Sequence, residues 1–416
     1  MSFHLDCFGA SREVGRSAFL LQTDKKIMLD YGIKIFDKSG EAKYPESDII
    51  PDFALITHSH LDHSGFVPAF YRNSKIRWYA TPPTRDFCEI LWKDSMKIMG
   101  PALPYKGSHF KKALKYWSPL LYNKPMYFGD TTVRLHDAGH IAGAAMLNIE
   151  YGGKRVVYTG DFKLEETQMH AGADTIKDVD VLIIESTYAQ KDHPPRKEIE
   201  ERFAEEMRET LDNGGNFLMP AFSLGRTQEL ISLIRKYDRN IPVFVDGMGR
   251  ELTKLYLRNP SYIKDAKRFR KDVQSVTLVK DMQDRKLATQ SPSVIVSSAG
   301  MMSGGPVLGY LFNVNSKSKV VFSGYCMEDT NGWRLQNEGY ILKDEQELEV
   351  DLPIEYLDFS AHAGRKELLQ FIRAANPEKV VLVHGDSPDS FAQELREGYG
   401  IDAIAPVIGQ RIELDD

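Results

Sequence analysis

A mixed α/β fold follows from three features of the 416-residue sequence. Short apolar runs end in Asp, His or Gly, which is how strands deliver functional groups to a sheet edge. One charged stretch repeats apolar residues at helical spacing. The second half alternates β-branched runs with amphipathic helices, the pattern of a largely parallel sheet.

Taken in order, "SAFLLQTDKKIMLDYG" predicts two strands around a turn, and "VRLHDAGH" and "KRVVYTGDF" each predict an apolar strand running into a polar tip. From about residue 190 the texture changes. "RKEIEERFAEEMRETLDNGG" places Ile199, Phe203, Met207 and Leu211 on one helix face, and "NGG" supplies a left-handed stop. "FLMPAFSLGRTQELISLIRKYD" reads as strand, glycine turn and helix; "PVFVDG" and "SVIVSSAG" are further short strands. The tail adds "PIEYLDFSAHAG", the helix "RKELLQFIRAA", the strand "KVVLVHGD" and the helix "SFAQELREGYG". No internal repeat or low-complexity linker interrupts the chain.

Composition narrows the class. Three cysteines, Cys7, Cys88 and Cys326, without CxxC spacing, point neither to a disulfide scaffold nor to a thiolate metal site, and suit a reducing, cytoplasmic setting. No stretch approaches the ~20 apolar residues of a membrane span, and no leader is expected at the start. A net charge of −6 argues against a basic nucleic-acid-coating protein but leaves a nuclease open. "FKKALKYW" (110–117) and "KDAKRFRKD" (264–272) are basic stretches suited to a groove or, more simply, to solvated helix faces.

The chemistry is concentrated in "THSHLDHSG", residues 57–65. In an extended segment alternate side chains share a side, so His58 and His60 can reach one cation, while Asp62 and His63 follow in a turn and face a neighbouring position. Imidazole with carboxylate suits zinc, or else manganese or iron, and keeps the ion Lewis-acidic.

This stretch matches the HxHxDH signature and resembles the metallo-β-lactamase superfamily, which implies an αββα sandwich. The resemblance assigns His140 in "DAGHIAGAAM" as a further ligand, Asp161 in "YTGDF" as the bridging carboxylate, and Asp30 in "MLDYG" as the acid that orients a ligand histidine. A cation pair held there would lower the pKa of water to roughly 7 and supply a nucleophile at neutral pH. Lactam, thioester and phosphodiester substrates all fit this far.

The superfamily needs one more histidine on the second metal. His170 and His193 come soon after Asp161 but end no apolar strand; His384 in "KVVLVHGD" does. The chain between must then leave the metal-binding sheet and return, which resembles the metallo-β-CASP ribonucleases, whose inserted α/β domain caps the metal site. Their added motifs match Glu185 in "VLIIESTYA", His362 in "LDFSAHAG" and His384. The implied domains are 1–188 and 355–416 for the metallo-β-lactamase part and 189–354 for the β-CASP insertion. "FGASREVGRSAFLL", "PAFSLGRTQEL", "SSAGMMSGGP" and "HGD" are most similar to the archaeal cleavage and polyadenylation specificity factor-like ribonucleases, without the KH domains that precede the first strand in larger members.

What the resemblance implies is a two-zinc ribonuclease for single-stranded RNA, acting as endonuclease or as 5′-to-3′ exonuclease. His58, His60 and His140 would hold one zinc, Asp62, His63 and His384 the other, with Asp161 shared. His362, oriented by Glu185, would protonate the leaving oxygen, and Asp62 joins these two in the catalytic set. Ser223, Arg226 and Thr227 at a strand-to-helix turn, and Ser298, Gly300, Ser303 and Gly304 in a glycine-rich loop, would hold phosphates. Met301 and Met302 read as packing residues. A homodimer is in question because relatives often dimerise; no membrane partner is expected. The competing readings are a small-molecule thioester or lactam hydrolase and a non-catalytic RNA-processing subunit.

Overall fold

A computed structural model describes residues 3–35, 41–47 and 49–415. They fall into two compact units: Met1–Glu166 with Ala171–Asp192 and Ala361–Asp416, and Thr167–His170 with His193–Ser360.

The first unit contains two seven-stranded sheets. One runs, edge to edge, through Arg411–Glu413, His4–Cys7, Phe19–Gln22, Lys26–Leu29, Phe53–Leu55, Arg77–Ala80 and Trp117–Pro119. The other runs through Asp402–Ile404, Lys379–Val383, Val181–Glu185, Lys154–Tyr158, Ala145–Tyr151, Thr131–Asp137 and Met126–Phe128. The period of two along each strand sorts side chains between layers. Phe19, Leu21, Ile27, Leu29, Phe53 and Leu55 join Val133, Leu147, Val156, Ile183 and Val381 in the core between the sheets. Leu20, Met28, Ala54 and Trp78 face the other way, into a layer with Phe66, Cys88 and Trp92.

That outer layer includes the helix Pro82–Met99, a segment for which the sequence predicts no element; Thr81 caps it by accepting from the Thr84 amide. On the second sheet, Phe371 of the helix Arg365–Ala375 packs against Phe162. Helices outside, sheets inside: this is the αββα sandwich. The last strands complete both sheets, with Lys379–Val383 parallel to Val181–Glu185 and Arg411–Glu413 antiparallel to His4–Cys7.

The second unit is built on a six-stranded parallel sheet ordered Thr277–Leu278, Val243–Asp246, Val294–Ser297, Phe217–Pro220, Lys319–Phe322, Ile354–Tyr356. Its first helix, Arg196–Asp212, buries Ile199, Phe203 and Met207 as expected, but Leu211 is only half-buried and Thr210 takes the inner position. Steps of four residues overshoot a 3.6-residue turn by about 40° each, so the stripe drifts off the contact face by its fourth member. Gly214 supplies the left-handed stop, at φ 84°.

Both basic stretches prove to be helix surfaces. Lys111, Lys112 and Lys115 are exposed on the helix Gly107–Lys115, which is anchored through the buried Ala113. In the helix Ala266–Gln274, Phe269 and Val273 turn inward, and Arg268 reaches Asp272 at 3.6 Å.

Candidate metal centre

Most of the candidate ligands of the first unit lie just past the ends of strands. Asp30 follows Lys26–Leu29, His58 follows Phe53–Leu55, and His60 caps the short helical turn Leu61–Ser64 that carries Asp62 and His63. His140 follows Thr131–Asp137, Asp161 follows Lys154–Tyr158, Glu185 ends Val181–Glu185 and His384 follows Lys379–Val383. The last three strands are parallel, with Tyr158 beside Ile183 and Glu185 beside Val383, so their tips share one edge. Asp30 and His384 sit at φ 55° and 49°, a left-handed backbone that is uncommon outside glycine and is retained where the surroundings demand it. Gly32 permits the turn to close: a Cβ there would lie 1.8 Å from the Asp62 carbonyl oxygen.

Three groups of side chains could each surround an ion, and all contain Asp161: the two expected ligand groups, His58, His60, His140 and Asp161, and Asp62, His63, Asp161 and His384, and a third, Asp161, Glu185 and His362. In the first, His58 Nε2 and His140 Nε2 each lie 3.1 Å from His60 Nδ1. Zinc–nitrogen bonds of about 2.0–2.1 Å in a tetrahedron separate their nitrogens by about 3.3 Å, so these atoms converge at ligand spacing. His140 Nδ1 lies 2.8 Å from the Ala361 carbonyl oxygen, which requires a proton on Nδ1 and leaves Nε2 bare.

In the second group His63 Nε2 and Asp161 Oδ1 face each other at 3.2 Å, and both are buried without a hydrogen-bond partner among the described residues. A buried polar atom left so is costly unless a ligand completes it. His384 Nε2 lies 3.3 Å from Asp62 Oδ2, and its Nδ1 3.4 Å from Asp161 Oδ1.

Asp30 holds this side in place. Its Oδ2 accepts from His63 Nδ1 at 2.7 Å and from the Tyr158 hydroxyl at 2.8 Å, and its Oδ1 accepts from the Thr57 amide at 2.7 Å. Tyr158 escaped the sequence reading; the signal was a polar-tipped aromatic ending the apolar run before "TGD".

Charge follows the same logic. Burial pushes His58, His60 and His140 toward the neutral ring, the form that binds metal; the charge of His63 adds to this at His58, and that of His362 at His140. At His63 burial acts in the same direction, but Asp161 and Asp30 outweigh it and lift its pKa well above the usual histidine range. Burial works against charge on Asp161 as well, yet His63 and His384 hold it far below the ordinary carboxylate range.

His362 stands beside Asp161, with Nδ1 3.9 Å from Asp161 Oδ2 and 3.0 Å from Glu185 Oε2. Glu185 is itself fixed, accepting from the Phe162 amide at 2.9 Å and from the Thr187 hydroxyl at 2.6 Å. Burial lowers the His362 pKa, but the Glu185 and Asp161 charges prevail and raise it to about 9. The His362 side chain keeps 23 % exposure, against 2 % or less for His58, His63, His140 and His384. A protonated ring with one nitrogen tied to a carboxylate and an open face suits a proton donor.

His170 and His193 take no part in these groups. His170 is buried in the second unit, where burial lowers it to about 4, and His193 Nδ1 pairs with Asp358 at 3.1 Å in the same unit.

The candidate phosphate loops also belong to the second unit, where they follow the strands Phe217–Pro220 and Val294–Ser297. The two loops touch: a Cβ on Gly300 would lie 2.8 Å from the Phe222 nitrogen. From these neighbouring strands the chain moves on to Val243–Asp246 and to Lys319–Phe322, in opposite directions across the sheet. A reversal of this kind, with crossovers of the usual right hand, is where open α/β sheets bind ligands at the strand ends.

At these strand ends Ser223 is half-buried, Ser298 is buried, Ser303 is exposed, and Gly304 has open space around it. Arg226 opens the helix Arg226–Tyr237, and its buried Nε has no hydrogen-bond partner among the described residues. Burial and the nearby Arg196 charge lower its pKa to about 10. Thr227 is buried and donates its hydroxyl to the Phe222 carbonyl at 2.8 Å, shaping the turn. Met302 is fully buried with Met301 packed alongside.

Comparison with known proteins agrees with this architecture. Residues 227–335 match the Beta-Casp domain, residues 347–406 the Zn-dependent metallo-hydrolase RNA specificity domain, and residues 8–211 the anti-Pycsar protein Apyc1. The chain is 36% identical to "Probable RNase MJ4" of Methanocaldococcus jannaschii, over 98% of this chain and 99% of that protein. It is 34% identical to "RNase aCSPSF2" of Saccharolobus solfataricus, over 100% and 86%. It is 32% identical to "Transcription termination factor FttA" of Methanothermobacter thermautotrophicus, over 97% and 70%. Among solved structures, a protein of unknown function from Enterococcus faecalis V583 shares the fold, with a TM-score of 0.67 and 14% identity over 99% of this chain and 100% of that one.

Proposed function

The chain belongs to the metallo-β-lactamase β-CASP ribonuclease family, and on that premise we propose that it hydrolyses single-stranded RNA at a two-zinc centre with His362 as the proton donor. The observation that carries the reading is the placement of His362. It is the half-open histidine beside Asp161, the carboxylate common to both ligand groups, and Glu185 holds it protonated.

His58, His60 and His140 would hold one zinc and Asp62, His63 and His384 the other, with Asp161 between them. Zinc bound there supplies Lewis acidity toward the phosphate and a water of pKa roughly 7. The chain's own contribution is geometric and electrostatic. Neutral His58, His60 and His140 present bare nitrogens, and Asp30 aims His63. Nδ1 of His362 donates to Glu185, so Nε2–H remains to protonate the departing 3′ oxygen, a step worth ~10²- to 10⁴-fold. Arg226, with Ser223 and the loop carrying Ser298, Gly300, Ser303 and Gly304, would engage phosphates along the strand, its buried Nε having no hydrogen-bond partner among the described residues.

The domains read as 1–188 and 355–416 around an inserted 189–354. Among the described residues no helix is long and apolar enough to cross a membrane. Free buried thiols at Cys7, Cys88 and Cys326 support a cytoplasmic location.

Elemental analysis of the purified protein together with a time course on 5′- and 3′-labelled RNA tests the reading. Two zinc ions per chain and RNA cleavage are expected. Mononucleotides released first from the 5′ end identify exonuclease action, and internal fragments identify endonuclease action. Robust thioester hydrolysis with intact RNA would replace this reading by that of a small-molecule hydrolase.

A further inference from the structure

Two threonine hydroxyls stand between a buried carboxylate and a ligand histidine. Thr57 Oγ1 lies 2.8 Å from Asp30 Oδ2 and 3.1 Å from His58 Nδ1. Thr187 Oγ1 lies 2.6 Å from Glu185 Oε2, 3.2 Å from His384 Nδ1 and 3.1 Å from the His384 carbonyl oxygen. The two arrangements come from different strands and repeat the same chemistry.

A hydroxyl has one proton to donate and two lone pairs with which to accept, whereas an ionised carboxylate only accepts. The proton of each threonine therefore points to its carboxylate, the shorter contact and the charged acceptor. Toward the imidazole the threonine presents a lone pair, and the contact holds only if Nδ1 carries the hydrogen. Nε2 is then the bare nitrogen. For His58 this agrees with the convergence of Nε2 on His60. For His384 it decides between alternatives that the ring position leaves open, because Nε2 faces Asp62 at 3.3 Å while Nδ1 faces Asp161 at 3.4 Å.

We propose that Thr57 and Thr187 are positioning residues that set the tautomers of His58 and His384, each relaying the charge of a carboxylate one hydroxyl away so that Nε2 is offered to the metal. The inference rests on the reading of these groups as a metal centre. His63 and His140 obtain the same service directly, from Asp30 and from the Ala361 carbonyl. Asp30 thus serves a ligand of each metal, His63 by contact and His58 through Thr57. Glu185 serves the proton donor His362 by contact and the second-metal ligand His384 through Thr187. The acid and the metal position are consequently built on one carboxylate.

The test uses the zinc-loaded protein labelled with ¹⁵N at histidine. Long-range ¹H–¹⁵N spectra, assigned with single histidine substitutions, should show Nδ1 protonated and Nε2 ligating in both His58 and His384. Zinc affinity, measured by chelator competition, should fall roughly 10- to 100-fold at one of the two sites in Thr187→Val and at the other in Thr57→Val, as for other groups that orient a ligand. Thr187→Ser and Thr57→Ser should restore it, because serine keeps the hydroxyl. Wild-type protein that binds two zinc ions with His384 ligating through Nδ1 overturns the inference while leaving the metal centre intact. So do valine variants with unchanged affinity at both sites. Protein that takes up no zinc at all overturns the metal-centre reading itself. Should a valine variant fail to fold, the wild-type spectrum still decides.

Discussion

At the tips of the first unit's strands, His58, His63, His140 and His384 each have Nδ1 within hydrogen-bond reach of an oxygen: Thr57, Asp30, Ala361 and Thr187 respectively. At the tips of the second unit's parallel strands the candidate binding groups are held differently. Glycines bring backbone close to backbone there, and Arg226 carries a buried Nε with no partner among the described residues. The first region is the more constrained, with four candidate ligands each held by a neighbouring oxygen, as suits a metal, which demands donors at fixed spacing. The second leaves a cation and open loop surface available, as suits a polyanion whose phosphates recur along a flexible strand. Rigidity is placed where bond lengths are short and directional, and latitude where the partner is long and variable.

That contrast predicts how damage should scale. Asp161→Asn, which alters the carboxylate common to both ligand groups, should abolish RNA cleavage and strip metal from the protein, read by elemental analysis beside a cleavage assay. A variant that retained two metals and full activity would rule out a bridging role for Asp161. His362→Ala should lower kcat by ~10²- to 10⁴-fold with metal content unchanged. Metal loss in that variant would move His362 from proton donor to ligand.

In the second unit Arg226→Ala should weaken RNA binding by about tenfold, or roughly 1.4 kcal/mol, as a rise in KM with kcat preserved. A fall in kcat at saturating RNA would instead place the guanidinium at the reacting phosphate.

The effect of Glu185→Gln is read in the pH profile of kcat/KM. Against burial, the Glu185 and Asp161 charges hold the His362 pKa up at about 9, so a donor there stays protonated below that value and activity declines as pH rises through it. Removing the Glu185 charge should move this alkaline limb to lower pH. A limb that stays in place would show that another group governs it.

Much of the centre was legible because its residues announce themselves locally. "THSHLDHSG" puts four candidate ligands within six positions, and the tips after "KRVVYTGD" and "KVVLVHGD" pair an apolar strand with a polar end. The strands themselves followed from alternation and β-branched runs, and the structure has them at Phe19–Gln22, Lys26–Leu29, Lys154–Tyr158 and Lys379–Val383. Less legible were the helix Pro82–Met99, a segment for which the sequence predicts no element, and the drift that takes Leu211 off its helix face.

What the sequence determined by itself was the set of donor types and the strand ends that carry them, because both are properties of neighbouring residues. Only the tertiary structure places an oxygen across from Nδ1 of His58, His63, His140 and His384, and for His140 that oxygen comes from Ala361, 221 positions away in the chain. It also determined that Tyr158 and Thr57 share Asp30, and that Thr187 lies between Glu185 and His384. A hydroxyl or a carbonyl is an ordinary residue feature until folding aims it, and in this protein the aim of those few oxygens sets how the ligand nitrogens are presented.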